Sequence, residues 1–269
     1  MEKIPQNKED FLIDKENNPG GLKFIESDFD DFFFKQLGYN LEHLKPSFKD
    51  FFSRVVKEQP DYVVFLDKGA RPFATPFKKY FNNINLSNPP KILFWNDERY
   101  KSLSEKNLAQ DLLKKDFIDS NPDKDFSKKK IFVVDETYYS GRGARMLRDF
   151  FDINHVDGHY FSFTHESRSS TEGLEEDEKD EFKDDERFTI YDNHAGPSFF
   201  PKQITKLYLM DSIDPITGKI VTSNRFAFID SSDGPKDNQS QEKLKKQKEL
   251  IDETRKKVSD AIYNTLTEI

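Results

Sequence analysis

Short, mostly apolar runs at residues 62–66, 92–95, 131–134, 160–163, 207–210 and 226–229 constrain this chain more than any other feature. Each is too short for a stable helix. Apart from Ser162, none shows the apolar–polar alternation of a strand with one wet face, so the pattern is that of strands covered on both sides. Segments 73–81, 104–117 and 144–151 lie between them with helical character. Strand and helix in alternation predict a doubly wound α/β core with a parallel sheet. In such a sheet, ligands bind beyond the C-terminal ends of the strands.

The flanks read differently. Residues 1–21 are polar and end in the break Asn17-Asn18-Pro19-Gly20-Gly21. A Phe-rich helical stretch over 29–37 is expected to stop at Gly38. Pro46-Ser47 then opens a second helix, in which Phe48, Phe51, Phe52, Val55 and Val56 share one face. Pro60 closes it. At the other end, residues 238–269 place Leu244, Ile251, Val258, Ile262 and Leu266 at helical spacing among Lys and Glu. That stripe either packs on the domain or joins two copies as a homodimer. The expected organisation is an N-terminal segment with helices (1–58), an α/β core (59–235) with an acidic insertion (172–187), and a C-terminal amphipathic helix (236–269). The insertion holds ten acids against three bases and reads as a solvated loop or exposed helix.

Hydrophobic residues are only 35% of the 269, against roughly 45–50% on a broader apolar count for ordinary domains. The 27 Phe and 10 Tyr make up the difference, because each buried ring removes about 150–250 Å² from water. With no cysteine, disulfides, thiolate metal sites and a Cys nucleophile are excluded. The formal charge of −8 argues against a general nucleic-acid binder. No membrane span and no signal peptide are visible, so a cytoplasmic protein is expected. His155, His159 and His165 cluster in sequence, but two of them lie six residues apart in or beside a strand. That separation is about 20 Å, too far to share an ion.

One segment carries chemistry: Lys130-Ile-Phe-Val-Val-Asp135-Glu136-Thr137-Tyr138-Tyr139-Ser140-Gly141-Arg142-Gly143-Ala144-Arg145. A buried strand ends in two carboxylates, a short loop follows, and a helix begins. Backbone N–H groups at a helix start, with the positive end of the macrodipole, suit a phosphate monoester. Glycine lets the ligand approach closely. Asp135 and Glu136 would repel that phosphate unless the ligand also presents hydroxyl donors, which carboxylates accept strongly. A ribose 5-phosphate has both.

The segment resembles the PRPP-binding motif of the type I phosphoribosyltransferases, where four apolar residues precede two acids and a Thr-Gly phosphate loop. The resemblance implies that Asp135 and Glu136 hold the ribose hydroxyls, and that Thr137, Ser140, Gly141, Arg142 and Gly143 hold the 5-phosphate. A second match is the turn Asp67-Lys68-Gly69-Ala70-Arg71-Pro72 after the first core strand. In the family this turn grips pyrophosphate, here through Lys68, Gly69, Ala70 and Arg71. Mg²⁺ would arrive mainly on the PRPP diphosphate. The mobile loop of the family would fall within 96–125, with Arg99, Tyr100 and Lys101 as polar candidates. The base-recognising hood would come from the N-terminal helices and residues 191–200.

The implied activity is transfer of the phosphoribosyl group to a nucleobase or other small nucleophile, with release of pyrophosphate. Two departures, together with the long acidic insertion, keep open a non-catalytic PRPP- or nucleotide-binding protein of the same fold. Tyr139 stands where some purine enzymes of the family place an acid, and Gly143 replaces the second hydroxyl of the phosphate loop. A third reading is an unrelated phosphate-ester hydrolase with Asp135 as nucleophile or metal ligand, which leaves residues 67–71 without a role.

Overall fold

The structure, a computed structural model, describes residues 30–66, 69–84, 86–95, 128–138, 141–165, 180–191, 211–213, 220–222 and 238–269. At its centre are five parallel strands: β1 (Tyr62–Leu66), β2 (Lys91–Trp95), β3 (Lys130–Tyr138), β4 (Asp157–His165) and β5 (Phe188–Ile190). Their spatial order is β2-β1-β3-β4-β5. Helices α1 (Asp31–Glu58), α2 (Arg71–Asn83), α3 (Arg142–Asn154) and α4 (Asn238–Thr267) surround the sheet. Strands β6 (Asp211–Ile213) and β7 (Ile220–Thr222) form a separate antiparallel pair. The runs expected at 207–210 and 226–229 and the helix expected over 104–117 lie outside the described residues. Strand β5, three residues long, directly follows the acidic stretch and is too short to stand out in the sequence.

Two cores follow from the period-two alternation of strand side chains. Val63 and Phe65 of β1, Phe132 and Val134 of β3, and Phe161 and Phe163 of β4 face one side, packed against α1, α2 and α4. Val64, Ile131, Val133 and Tyr160 face the other, against Leu147, Phe150 and Phe151 of α3. The alternation is invisible in composition because both faces are dry, as a parallel sheet with helices on each side requires. Phenylalanine dominates the first core: Phe51 of α1 meets Phe161 and Phe163 edge-on, with ring centroids 5.1 and 5.7 Å away. Edge-to-face contact favours such rings beyond the area they bury.

The N-terminal region corrects the sequence expectation. There is one helix of 28 residues, Asp31–Glu58, where two were expected, and it runs through both Gly38 and Pro46. Phe33, Leu37, Leu41, Leu44, Phe48, Phe51, Phe52 and Val55 form one buried stripe along it. An internal proline costs on the order of 3 kcal/mol, and burial of a Leu or Phe returns roughly 1.5–3 kcal/mol each, so the stripe outweighs the breakers. Asp30 caps the start, accepting from the Phe33 amide at 2.9 Å. Val56, expected on the apolar face, is 49% exposed.

The C-terminal helix uses its stripe within the chain: Ile251, Val258, Ile262 and Leu266 enter the same core as α1 and α2. Lys79 lies 3.7 Å over the Tyr263 ring, and Lys45 reaches Glu268. The described end of the acidic insertion is anchored rather than simply solvated. Its 3₁₀ turn Asp180–Phe182 buries Phe182 against Tyr138 and Phe188. Among the described residues, no helix is long and apolar enough to cross a membrane.

At the N-terminal edge of the sheet, Arg54 and Glu58 of α1 gather with Lys130, Asp157 and His159. Arg54 bonds Glu58 at 3.1 Å and His159 Nδ1 at 3.1 Å, and Glu58 lies 3.3 Å from Lys130. Burial holds the His159 imidazole below its ordinary value of 6.5, with Glu58 opposing only in part. For Glu58, burial pushes upward, but the bonds from Arg54 and Lys130 prevail and its carboxyl sits below 4.5. Both groups bind protons more readily when unfolded, so stability is lost as pH falls, first below about 6.5 through His159 and then below about 4.5 through Glu58. Thermal unfolding at pH 5.5 should therefore come at a lower temperature than at pH 7.5, with the difference reduced in His159→Gln. In the core, Phe51→Ala should cost about 3–5 kcal/mol by urea unfolding.

Candidate functional site

Strand β3 outruns β1, and this is what builds the site. The β1–β3 register ends at Phe65 opposite Val134, whereas β3 continues along β4 to Tyr138 opposite His165. The acids therefore sit within the strand, not at its end as the sequence suggested. Where β1 stops, its following turn takes the vacated place beside β3. A side-chain carbon built on Gly69 would lie 2.5 Å from Glu136 Oε2 and 3.1 Å from Glu136 Cβ, so any larger residue would push the Glu136 carboxylate aside. Gly69 of the turn and Glu136 of the strand, far apart in sequence, thus meet at the β1–β3 boundary. There α2 leaves toward one face of the sheet and α3 toward the other, the switch point where open α/β sheets bind ligands.

Because adjacent strand residues face opposite ways, the two acids part company. Asp135 is half-buried on the α3 side and accepts a hydrogen bond from the Tyr160 hydroxyl at 2.9 Å. This bond orients the Asp135 carboxylate. Glu136 points to the α2 side and is 8% exposed. Arg71, the first residue of α2, is 2% exposed. These two are the only charged side chains buried among the described residues; Glu136 lies beside Gly69, and Arg71 follows that glycine by two residues.

The remaining candidates divide. The Thr164 hydroxyl donates to the Glu136 carbonyl at 2.9 Å, so in its 2.8 Å contact with Thr137 the proton comes from Thr137. That hydroxyl is thus turned into the sheet rather than toward a phosphate. Gly141 caps α3 with φ +62°, Arg142 is the first helical residue, and Gly143 is half-buried in the first turn. Ala70 is buried and caps α2. Ser140, Tyr139, Lys68, Asp67 and the stretch 96–125 lie outside the described residues, as do 192–200.

Both helix starts share a feature that α1 lacks. Neither α2 nor α3 has a side-chain cap or an acid in its first turn, whereas α1 has Asp30 and Asp31. Two adjacent helix N-termini at one edge of the sheet make a positive region suited to anions.

Other residues at this edge escaped the sequence reading. Tyr138 is buried, stacked on His165 at 5.9 Å with its ring edge toward Phe182, and its hydroxyl faces Gly141. Glu181 of the acidic segment bonds Arg145 at 2.9 Å and Arg148 at 2.7 Å on the first turns of α3. Burial raises the Glu181 carboxyl, but the two guanidinium bonds outweigh it and hold the group below its ordinary range. No local pattern could have paired residues so far apart in the chain.

No protein-family model and no curated protein matches the chain.

Gly141 should tolerate no side chain. Left-handed backbone costs a residue with a Cβ about 1–2 kcal/mol, and that carbon would meet the Tyr138 hydroxyl at 2.5 Å. Gly141→Ala should lower the urea midpoint, and adding Tyr138→Phe should recover part of the loss by removing the oxygen.

Proposed function

We propose that this chain is a phosphoribosyltransferase-type protein that binds PRPP and transfers its phosphoribosyl group to a small nucleophile, releasing pyrophosphate. The observation that carries this reading is the meeting of Gly69, just before α2, with Glu136 of the β3 acid pair at the sheet's switch point. A phosphate-ester hydrolase built on Asp135 alone gives that meeting no role. Among the described residues, no three His, Asp or Glu side chains gather around a metal-sized site. In this reading Mg²⁺ enters as part of the ligand, on the diphosphate, keeping most of its waters.

In this reading the 5-phosphate rests on the start of α3 at Gly141, Arg142 and Gly143, with Ser140 as a further donor. Asp135, held by Tyr160, accepts a ribose hydroxyl. The diphosphate lies on the start of α2, over Gly69 and Ala70, with Lys68 and Arg71 as counter-charges. The bond from C1′ to the diphosphate oxygen breaks with its electron pair leaving on the diphosphate, and the nucleophile bonds to C1′. Positive charge builds on the ring and negative charge on the leaving group. Fixed dipoles and Arg71 stabilise the second without having to reorganise.

The alternative is a protein of the same fold that binds PRPP or a nucleotide without turnover. Two observations favour it: Gly143 offers no hydroxyl, and that of Thr137 is engaged by Thr164. The same titration tests both. PRPP with Mg²⁺ should bind by calorimetry at micromolar to millimolar ligand, and its failure to do so would remove both readings. Release of pyrophosphate on incubation with a panel of nucleobases then separates enzyme from binder. Asp135→Asn should weaken PRPP about tenfold or more, the cost of a charge-assisted hydrogen bond of ~1.5–3 kcal/mol.

A further inference from the structure

We propose that Glu136 is a positioning residue for the diphosphate rather than a second ribose-binding group: it is the strut on which the β1–α2 turn is set. This rests on the PRPP reading above and assigns the two acids different work.

Three observations lead there. Strand alternation sends Glu136 to the face of Phe132 and Val134, where α2 packs, and Asp135 to the face of Tyr160 and α3. The backbone at Gly69 lies so close to the Glu136 side chain that a methyl group there would stand 2.5 Å from Oε2 and force the carboxylate to shift. Charge makes the third. A buried carboxylate is costly unless compensated, and the one other buried charge among the described residues, Arg71, is two residues beyond Gly69. Two residues of chain span at most about 7 Å, so the backbone of the buried cation stands close to the glycine that the buried anion touches.

The consequence is a division of labour. Asp135, half-exposed and oriented by Tyr160, is the acid available to a sugar hydroxyl. Glu136 fixes where the Gly69–Ala70 backbone stands and thus the start of α2, and it offsets the charge of Arg71 when no diphosphate is bound. A displacement of that turn by an ångström would misplace the leaving group while leaving the ribose and 5-phosphate contacts untouched. Misplacements of this size cost up to about a hundredfold.

Two half-ligands separate these roles by calorimetry on the full chain: ribose 5-phosphate, and inorganic pyrophosphate with Mg²⁺. Glu136→Gln should weaken pyrophosphate about tenfold or more and leave ribose 5-phosphate within about twofold, whereas Asp135→Asn should do the reverse. Gly69→Ala should reproduce the pyrophosphate loss. The double variant Gly69→Ala with Glu136→Gln should bind pyrophosphate no worse than the weaker single variant, because both act through one contact. Thermal melting checks that each variant is folded, and Gly69→Ala carries the test if Glu136→Gln is not. Glu136→Gln weakening ribose 5-phosphate as much as pyrophosphate would overturn the assignment, as would full additivity in the double variant. If the unaltered chain binds neither half-ligand, it is the PRPP reading itself that fails, and this inference with it.

Discussion

The structure depends on β3 being buried on both faces while extending beyond its neighbour β1. Burial on both sides comes from its position in the middle of a parallel sheet, with α1 and α2 over one face and α3 over the other. A strand so placed has no wet face on which to put a charge, so its acids can occur only where a neighbouring strand has ended. Asp135 and Glu136 stand just past the last β1 partner. Gly69 then lies beside Glu136, at a distance that any side chain would crowd.

The phenylalanine core makes that arrangement rigid. Phe48, Phe51 and Phe52 of α1, Phe73, Phe77 and Phe81 of α2, and Phe161 and Phe163 of β4 form one set of contacts at the ring spacings that favour edge-on packing. Phe73 lies two residues beyond Arg71, so the start of α2 is tied to the core almost at once. The α4 stripe closes the outside of the same core. A chain with few aliphatic residues thus obtains its interior from rings, and its charged surface is what remains.

Much of this was legible in the amino-acid sequence. The strands at 62–66, 92–95, 131–134 and 160–163 announce themselves as short apolar runs, and the helices around 73–81 and 144–151 as the segments between them, both properties of neighbours in the chain. The helix broken at Gly38 and Pro46 was misread for the same reason. Local propensity opposes helix there, and only the shared stripe from Phe33 to Val55, buried against distant elements, overrides it. Strand β5 and the Phe182 anchor were missed because three residues carry no period to read.

For the site, the motif residues were visible as types and spacings: adjacent acids, a Gly-rich helix start, a small-residue turn after the first strand. Chain order could not say which way each acid faces, since that depends on where β3 is exposed by the end of β1. Nor could it pair Asp135 with Tyr160, Glu136 with Gly69, or Arg145 with Glu181. Periodicity and composition determined that a doubly covered parallel sheet would form and which loops would lie at its C-terminal edge, because hydrophobic burial reads local pattern. Only the tertiary structure decided that one acid is half-buried beside Tyr160 and the other buried beside Gly69, because strand register and strand length are settled by contacts between segments remote in sequence.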